Sequence, residues 1–373
     1  MIRLAQPAID EQDIAAVAAV LRSGWLVQGA EVRAFEAELA RIAGVPHAVA
    51  VSNGTAALHL ALLALGVGPG DEVAVAAYSW PATANAVVFC GARPVFVDIE
   101  PRTLGMDPDR LAEVLRGSAR CRAVLPVDAF GRMADLPAIS AAAEARGVPV
   151  VEDAACALGA RLAGRAAGGW GAAGCFSFHP RKVVTTGEGG AVTTADGALA
   201  DRVRALRNHG LAPRPGEPSF EAAGLNCRLT EFQGALGRVQ LGKLPSLLAT
   251  HRRIAGWYAE LLAALPLTLP EAGPGEAHIY QSYVVLLPAE LAGRRSALLE
   301  RLRSAGVEAT IGTHHIPLTT YYRREAGYQP GDFPVTDAIA ARAVALPMHH
   351  ALERDEAAQV AEALGESLRA LAG

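Results

Sequence analysis

Apolar residues recur along this chain with two periods that take turns. The runs Glu11–Ser23 and Ala30–Ala43 carry apolar positions at helical spacing. Residues 48–51 then form a short strand-like run, and Gly54 opens a helical run over 55–65. Further strands are predicted at 72–77, 94–99, 123–127, 148–152, 175–179 and 191–194, with helices between most of them, one at 135–146. This alternation predicts an α/β fold whose mostly parallel central sheet is sandwiched by helices. Residues 230–265 keep helical periodicity, with a break or kink expected at Pro245. That stretch is expected to link a large domain, residues 1–245, to a small C-terminal α/β domain, residues 246–373. The small domain is predicted to hold a strand at 283–287 and helices at 289–304 and 355–371. The passage 213–218, PRPGEP, is the most loop-like part of the chain.

Composition narrows the class. At 373 residues, 51% hydrophobic and 19% charged, the chain fits a globular enzyme with a large buried fraction. A net charge of -4 without a basic block points away from nucleic acid and from membrane surfaces as partners. The opening MIRLAQPAIDEQD lacks an apolar targeting core, so a cytoplasmic location is expected. Five scattered cysteines without CxxC spacing read as reduced thiols. The histidine pairs His314-His315 and His349-His350 put neighbours on opposite faces of an extended chain, which disfavours chelation, and no metal site is expected.

The chemistry concentrates in residues 175–194, CFSFHPRKVVTTGEGGAVTT, where Lys182 lies in a Gly- and Thr-rich loop between two strand-like runs. Upstream, residues 149–155 read PVVEDAA, an apolar strand that ends on Asp153. A lysine amine that reaches a carbonyl carbon and an aspartate for a pyridinium nitrogen are the two protein groups that pyridoxal phosphate chemistry requires. The bland alternatives are a solvated surface lysine and a helix N-cap aspartate. Gly54 and Thr55 begin a helix straight after a strand, an arrangement that suits a phosphate but is also an ordinary turn. Residues 169–174, GWGAAG, satisfy G-x-G-x-x-G but precede a strand, so they read as a loop and not as a dinucleotide site.

Together, PVVEDAA and FSFHPRKVVTTGEGGAVTT resemble the DegT/StrS group of sugar aminotransferases, which are fold-type I pyridoxal phosphate enzymes. SGWLVQG (23–29), SNGTAAL (52–58), GARPVFVDIE (91–100) and LNCRLTEFQGALGRVQL (225–241) resemble further family segments in the same order. The resemblance implies that Lys182 binds the cofactor as a Schiff base and then shuttles the reaction's proton, while Asp153 keeps the pyridine nitrogen protonated. It implies that Gly54, Thr55 and Ser177 receive the phosphate and that Trp80 stacks on the ring, core packing being the alternative for Trp80. Asn226 aligns with a residue that reaches the neighbouring subunit's phosphate, which implies a homodimer with shared active sites. Arg228 aligns with a position near the substrate. Trp25, His209 and His314 line up with regions that face the sugar, with a surface or core role open for each. Glu188 either positions the lysine loop or touches substrate.

The implied reaction takes an amino group from glutamate, through pyridoxamine phosphate, to a keto sugar. The TTGEGG form of the loop implies a nucleotide-linked 4-keto-6-deoxy sugar. A 3-keto sugar and an inosose-type cyclitol ketone are alternatives, as is a non-catalytic regulatory paralogue, against which Lys182, Asp153 and Thr55 count. Three positions depart from the family pattern. Cys156 stands where Gln or His is common near the cofactor's phenolic oxygen, Asp128 where His is common, and Cys227 where an aromatic is frequent.

Overall fold

The computed structural model describes residues 1–212 and 218–372. The predicted loop at 213–218 therefore falls outside the described residues except for Pro218. Among the described residues, the main sheet comprises β1 (His47–Val51), β2 (Glu72–Ala76), β3 (Arg93–Val97), β4 (Cys121–Leu125), β5 (Val151–Asp153), β6 (Ala173–Ser177) and β7 (Gly190–Thr194). Ladders join β1-β7-β6-β5 and β3-β2-β4. Parallel bridges Val124–Val150 and Val127–Asp153 close the gap, giving the order β1-β7-β6-β5-β4-β2-β3. Only β7 runs against the rest, pairing antiparallel with both β1 and β6.

Side chains alternate between the two faces, as the strand period demands. Ala48, Ala50, Ala74 and Ala76 join one core with α2 (Ala30–Ala43), whereas Val49, Val51, Val73 and Val75 join another with α3 (Gly54–Ala64). Small residues on the first face let bulky Phe35, Leu39 and Phe176 pack against it. The helices have clear starts. Asp10 caps α1 (Glu11–Ser23) with a full capping box, and Gly24 ends it in a left-handed turn at φ 73°. The N-cap of α2, Gly29, has no side chain. Glu231, from the long helix α4 (Glu231–Leu261), supplies the missing acceptor by taking bonds from the N–H groups of Gly29 (2.6 Å) and Glu31 (2.7 Å).

Several boundaries differ from expectation. α4 runs through Pro245 as one helix and stops at Leu261 instead of breaking or reaching 265. Proline in a helix interior costs about 3 kcal/mol, and burial of Leu241, Leu244, Leu247 and Leu248 against the core offsets it. The strand expected at 148–152 is Val151–Asp153, which brings Asp153 into the ladder, and that at 175–179 is Ala173–Ser177. The helix expected at 289–304 is a 3-10 turn, Ala289–Arg294, followed by the α-helix Arg295–Ser304.

The smaller C-terminal sheet is antiparallel, in the order β8 (Tyr283–Leu286), β10 (Ala343–Leu346), β9 (Thr310–Ile311). The C-terminal helix Arg354–Ala372 contributes Val360 and Leu364 to the same core as Tyr258, Tyr283 and Ile2. One connection to the main sheet matters for the site: His314 and His315 pair antiparallel with Ser79 and Tyr78. Among the described residues, no helix is long and apolar enough to cross a membrane.

A buried ion pair ties the segment before β8 to the turn after β4. Arg132 donates to Glu276 through Nε (3.0 Å) and Nη2 (3.1 Å), and through Nη1 to the Arg102 carbonyl (2.7 Å). Removing one partner strands the other charge. Glu276→Ala should lower the unfolding free energy by about 3 kcal/mol, read by urea denaturation; a loss under about 1 kcal/mol would mean that the pair behaves as a surface bridge.

Candidate active site

Asp153 is the last residue of β5 and is buried. The carboxyl ends of parallel strands are where α/β sheets gather ligand groups. One oxygen accepts from the Thr83 hydroxyl (2.8 Å), and that hydroxyl in turn lies 2.9 Å from the Ser79 hydroxyl. The other oxygen accepts from the Ala155 N–H (3.2 Å). Beyond Asp153 the chain turns instead of entering a helix, so the N-cap alternative fails. Burial pushes the Asp153 carboxyl up, while Thr83, Ala155 and the nearby Lys182 charge pull it down. A buried carboxylate so thinly bonded is suited to a cationic partner.

Lys182 follows β6 in the loop that returns to β7. The loop is braced from outside: buried Gln281 accepts from the Val183 N–H (2.9 Å) and donates to the Arg181 carbonyl (2.6 Å). The Thr185 hydroxyl donates to the Phe178 carbonyl (2.9 Å), and that of Thr186 to the Glu188 carbonyl (2.6 Å). The lysine amine is half-buried and donates to the Cys156 sulfur at 2.9 Å. Cys156, expected beside the cofactor's phenolic oxygen, lies against the lysine amine. A sulfur is a weak acceptor, so the amine is oriented but readily released.

At the start of α3, Asn53 caps the helix by accepting from the Ala56 N–H (2.8 Å). Gly54 and Thr55 occupy the first turn. A Cβ on Gly54 would sit 2.8 Å from the Ser177 Cβ, so only glycine lets the two segments close up. Helix N-terminus, Thr55 and Ser177 thus converge on one spot. On the other side of Asp153, Trp80 is 55% exposed, with the His314 ring edge-on at 5.1 Å and the Arg181 guanidinium 5.6 Å from its centroid. The indole is thus exposed at the surface of the site, and core packing is excluded for it.

The remaining expected residues lie on two peripheral segments. Arg228 bridges Val51 across from α3 and donates to the Asn208 side chain (2.6 Å). Asn226 bridges Asn208 and is exposed, as is His209, whose backbone sits in the left-handed region at φ 58°. Non-glycine residues seldom accept that conformation. Trp25, 60% exposed, lines an open cleft with Gln28, Glu231 and Arg238, away from Lys182. The Glu188 carbonyl also accepts from Gln233 (2.7 Å), which ties the lysine loop to α4. Sequence reasoning missed Thr83, Ser79 and Gln281, since a helix-start hydroxyl or a lone Gln carries no motif. Among the described residues, no cluster of His, Cys, Asp or Glu could hold a metal, and all five cysteines are free.

Residues 7–365 match the DegT/DnrJ/EryC1/StrS aminotransferase family. The chain belongs to that family. It is 35% identical over 370 residues to a GDP-perosamine synthase of Caulobacter vibrioides, covering 98% of each chain. It is 36% identical over 360 residues to a UDP-N-acetyl-3-dehydro-alpha-D-glucosamine 3-aminotransferase of Acidithiobacillus ferrooxidans, covering 96% of this chain and 94% of the other. The crystal structure of the aminotransferase TlmJ from Streptoalloteichus hindustanus superposes with a TM-score of 0.93 at 36% identity, over 100% of both chains. The chain is accordingly a pyridoxal phosphate-dependent aminotransferase of fold type I.

Thr83 offers a direct check on the Asp153 environment. Thr83→Val keeps the shape but removes the hydroxyl donor, and it should weaken pyridoxal phosphate binding about tenfold, measured by equilibrium dialysis. Unchanged affinity would show that the Thr83 bond does not support the site.

Proposed function

We propose that this aminotransferase moves an amino group from glutamate to a nucleotide-linked keto sugar, most specifically a 4-keto-6-deoxy sugar. The single observation that carries the assignment of roles is the thinly bonded, buried Asp153 beside a lysine amine that is held by a weak sulfur contact. Asp153 would hold the ring nitrogen as a cation, Lys182 would form the covalent attachment, and the α3 N-terminus with Thr55 and Ser177 would receive the phosphate. Trp80 would cover one face of the ring. Bound there, the cofactor supplies an electron sink for carbon–hydrogen cleavage.

The protein's own groups account for the rest. Released from its attachment, the Lys182 amine takes a proton from the donor's carbon and later returns one to the sugar carbon that receives nitrogen. Cys156 offers that amine a resting contact between the two tasks. The braced loop from Arg181 to Glu188 limits how far the amine can stray, so proton transfer stays on one face.

The sugar class rests on the relatives' names and on loop chemistry. Relatives of nearly equal identity are named for a GDP-linked and a UDP-linked sugar product or substrate, and one of these names specifies a 3-dehydro sugar. A nucleotide-linked keto sugar is common ground, and the TTGEGG loop favours the 4-keto form. A homodimer with Asn226 reaching the partner's phosphate fits the exposure of Asn226 and its position beside the strand that leads into α3. A soluble cytoplasmic enzyme fits the same reading.

Lys182→Ala should abolish transamination by at least about a thousandfold while leaving non-covalent pyridoxal phosphate binding measurable; appreciable turnover would refute the role of Lys182. Amination assays with glutamate across GDP-, UDP- and TDP-linked 4-keto and 3-keto sugars and inososes should single out a 4-keto nucleotide sugar. Exclusive use of a 3-keto sugar would overturn that choice. Mixing the inactive Lys182→Ala and Asn226→Ala proteins should restore part of the activity in heterodimers, and no rescue would count against a shared site.

A further inference from the structure

Cys156 and Lys182 are carried to one another by two anchored segments. After Asp153 the chain turns, with Ala154, Ala157 and Leu158 sunk into the core and the Ala157 N–H donating to the Ala154 carbonyl (2.9 Å). Cys156, in the middle of that turn, stays partly exposed. Lys182 sits in the loop braced by Gln281, and its own N–H donates to the His179 carbonyl (2.8 Å). With both backbones held, the unattached amine finds the sulfur within reach, Nζ to Sγ at 2.9 Å. Atoms kept within about 3–3.5 Å react with the advantage of an intramolecular process. The other four cysteines compete poorly for an oxidant. Burial pushes the Cys90 thiol up to about 12 and those of Cys121, Cys175 and Cys227 above their ordinary value, so less of each is the reactive thiolate.

We propose that Cys156 and Lys182 form a covalent modification site for peroxides, in which the oxidised Cys156 sulfur is captured by the Lys182 amine as an S–N bond, a sulfenamide. Its consequence rests on the proposed role of Lys182, because an amine bound to sulfur cannot attach pyridoxal phosphate. In the first step the sulfur attacks hydrogen peroxide and the O–O bond breaks. The thiol becomes a sulfenic acid, and the peroxide is reduced to water. In the second step the amine attacks that sulfur, the S–O bond breaks, and the hydroxyl leaves as water with a proton from the nitrogen. Thiol, amine and peroxide thus give the S–N bond and two waters, with no further oxidant. A dithiol such as dithiothreitol returns thiol and amine and is itself oxidised to its disulfide. Sulfenic acids are commonly captured by a second thiol or a backbone nitrogen, which spares them irreversible oxidation. Here the lysine amine occupies that place. Gln or His at position 156 has no thiol to oxidise, so the site belongs to the cysteine found here.

Mass spectrometry reads the bond directly. Apoprotein treated with hydrogen peroxide and digested with trypsin without reductant should yield residues 147–161 joined to residues 182–202, two hydrogens lighter than the two peptides together. The joined peptide should disappear with dithiothreitol and be absent from Cys156→Ser. Treated wild-type apoprotein should lose most of its uptake of pyridoxal phosphate, followed by absorbance, and regain it with dithiothreitol. Lys182→Ala has no amine to capture the sulfur, so it should accumulate Cys156 sulfenic acid, labelled by dimedone, well beyond wild type. That measurement stands even if Cys156→Ser does not fold. Wild-type Cys156 that stays a thiol or proceeds to sulfinic acid with Lys182 unmodified overturns the proposal, as does equal dimedone labelling of Lys182→Ala and wild type. Protein loaded with pyridoxal phosphate should resist the cross-link. Cross-linking as complete in loaded protein as in apoprotein would leave the S–N bond standing and instead sink Lys182 as the cofactor's point of attachment.

Discussion

Seating a carboxyl group at the dry end of a parallel strand is the constraint around which this fold is arranged. Asp153 receives one hydroxyl and one N–H, which is little for a buried anion. The surroundings explain how it is tolerated. The register with β4, through the Val127–Asp153 bridge, fixes its position, and the lysine loop returns a cation to its vicinity. The hydroxyl chain from Ser79 through Thr83 comes from the same short segment as Trp80, so one helix start supplies both a donor to Asp153 and an exposed indole. A site that holds its anion so loosely is preorganised to favour a bound cation over water.

The layered fold could be read from the chain because strand and helix periods alternate cleanly up to β7. Alternation such as Ala48-Val49-Ala50-Val51 states directly that two different cores flank the sheet. Lys182 and Asp153 were equally legible, since each sits beside a strand end in a segment whose composition has little other purpose. What the pattern did not yield depends on distant partners. β9 is two residues long and is defined only by its pairing with β10, and the continuous run of α4 past Pro245 depends on leucines that meet the core. Glu231 capping α2 from about two hundred residues away has no local signature.

Cys156 shows how a departure at one position can reveal a contact that the family pattern alone would assign elsewhere. Gln or His would offer an oxygen or nitrogen to the ligand, whereas the thiol sits against the lysine amine. The amine then has a resting place that binds it weakly, and on the proposed reading weak binding matters for a group that attaches, releases and carries protons in turn. Gln281 restrains the loop backbone instead, so the rigidity lies in the main chain and the freedom in the side chain.

The peripheral segments follow a different logic. His209 holds a strained backbone within a segment that is anchored by the Asn208–Asn226 bridge and by the His209 N–H bond to the Leu225 carbonyl (2.9 Å). Gly210 packs so tightly on Ala222 that no side chain fits there. Strain of this kind persists only where surrounding contacts over-determine the conformation. Yet the side chains so carefully placed, His209 and Asn226, face outward, and Trp25 does the same from its own loop. Rigid backbone that presents exposed polar and aromatic groups is poor use of folding free energy in an isolated chain. It makes sense if those groups meet something external, and on the proposed reading that is the partner's cofactor phosphate for Asn226 and the sugar for the others.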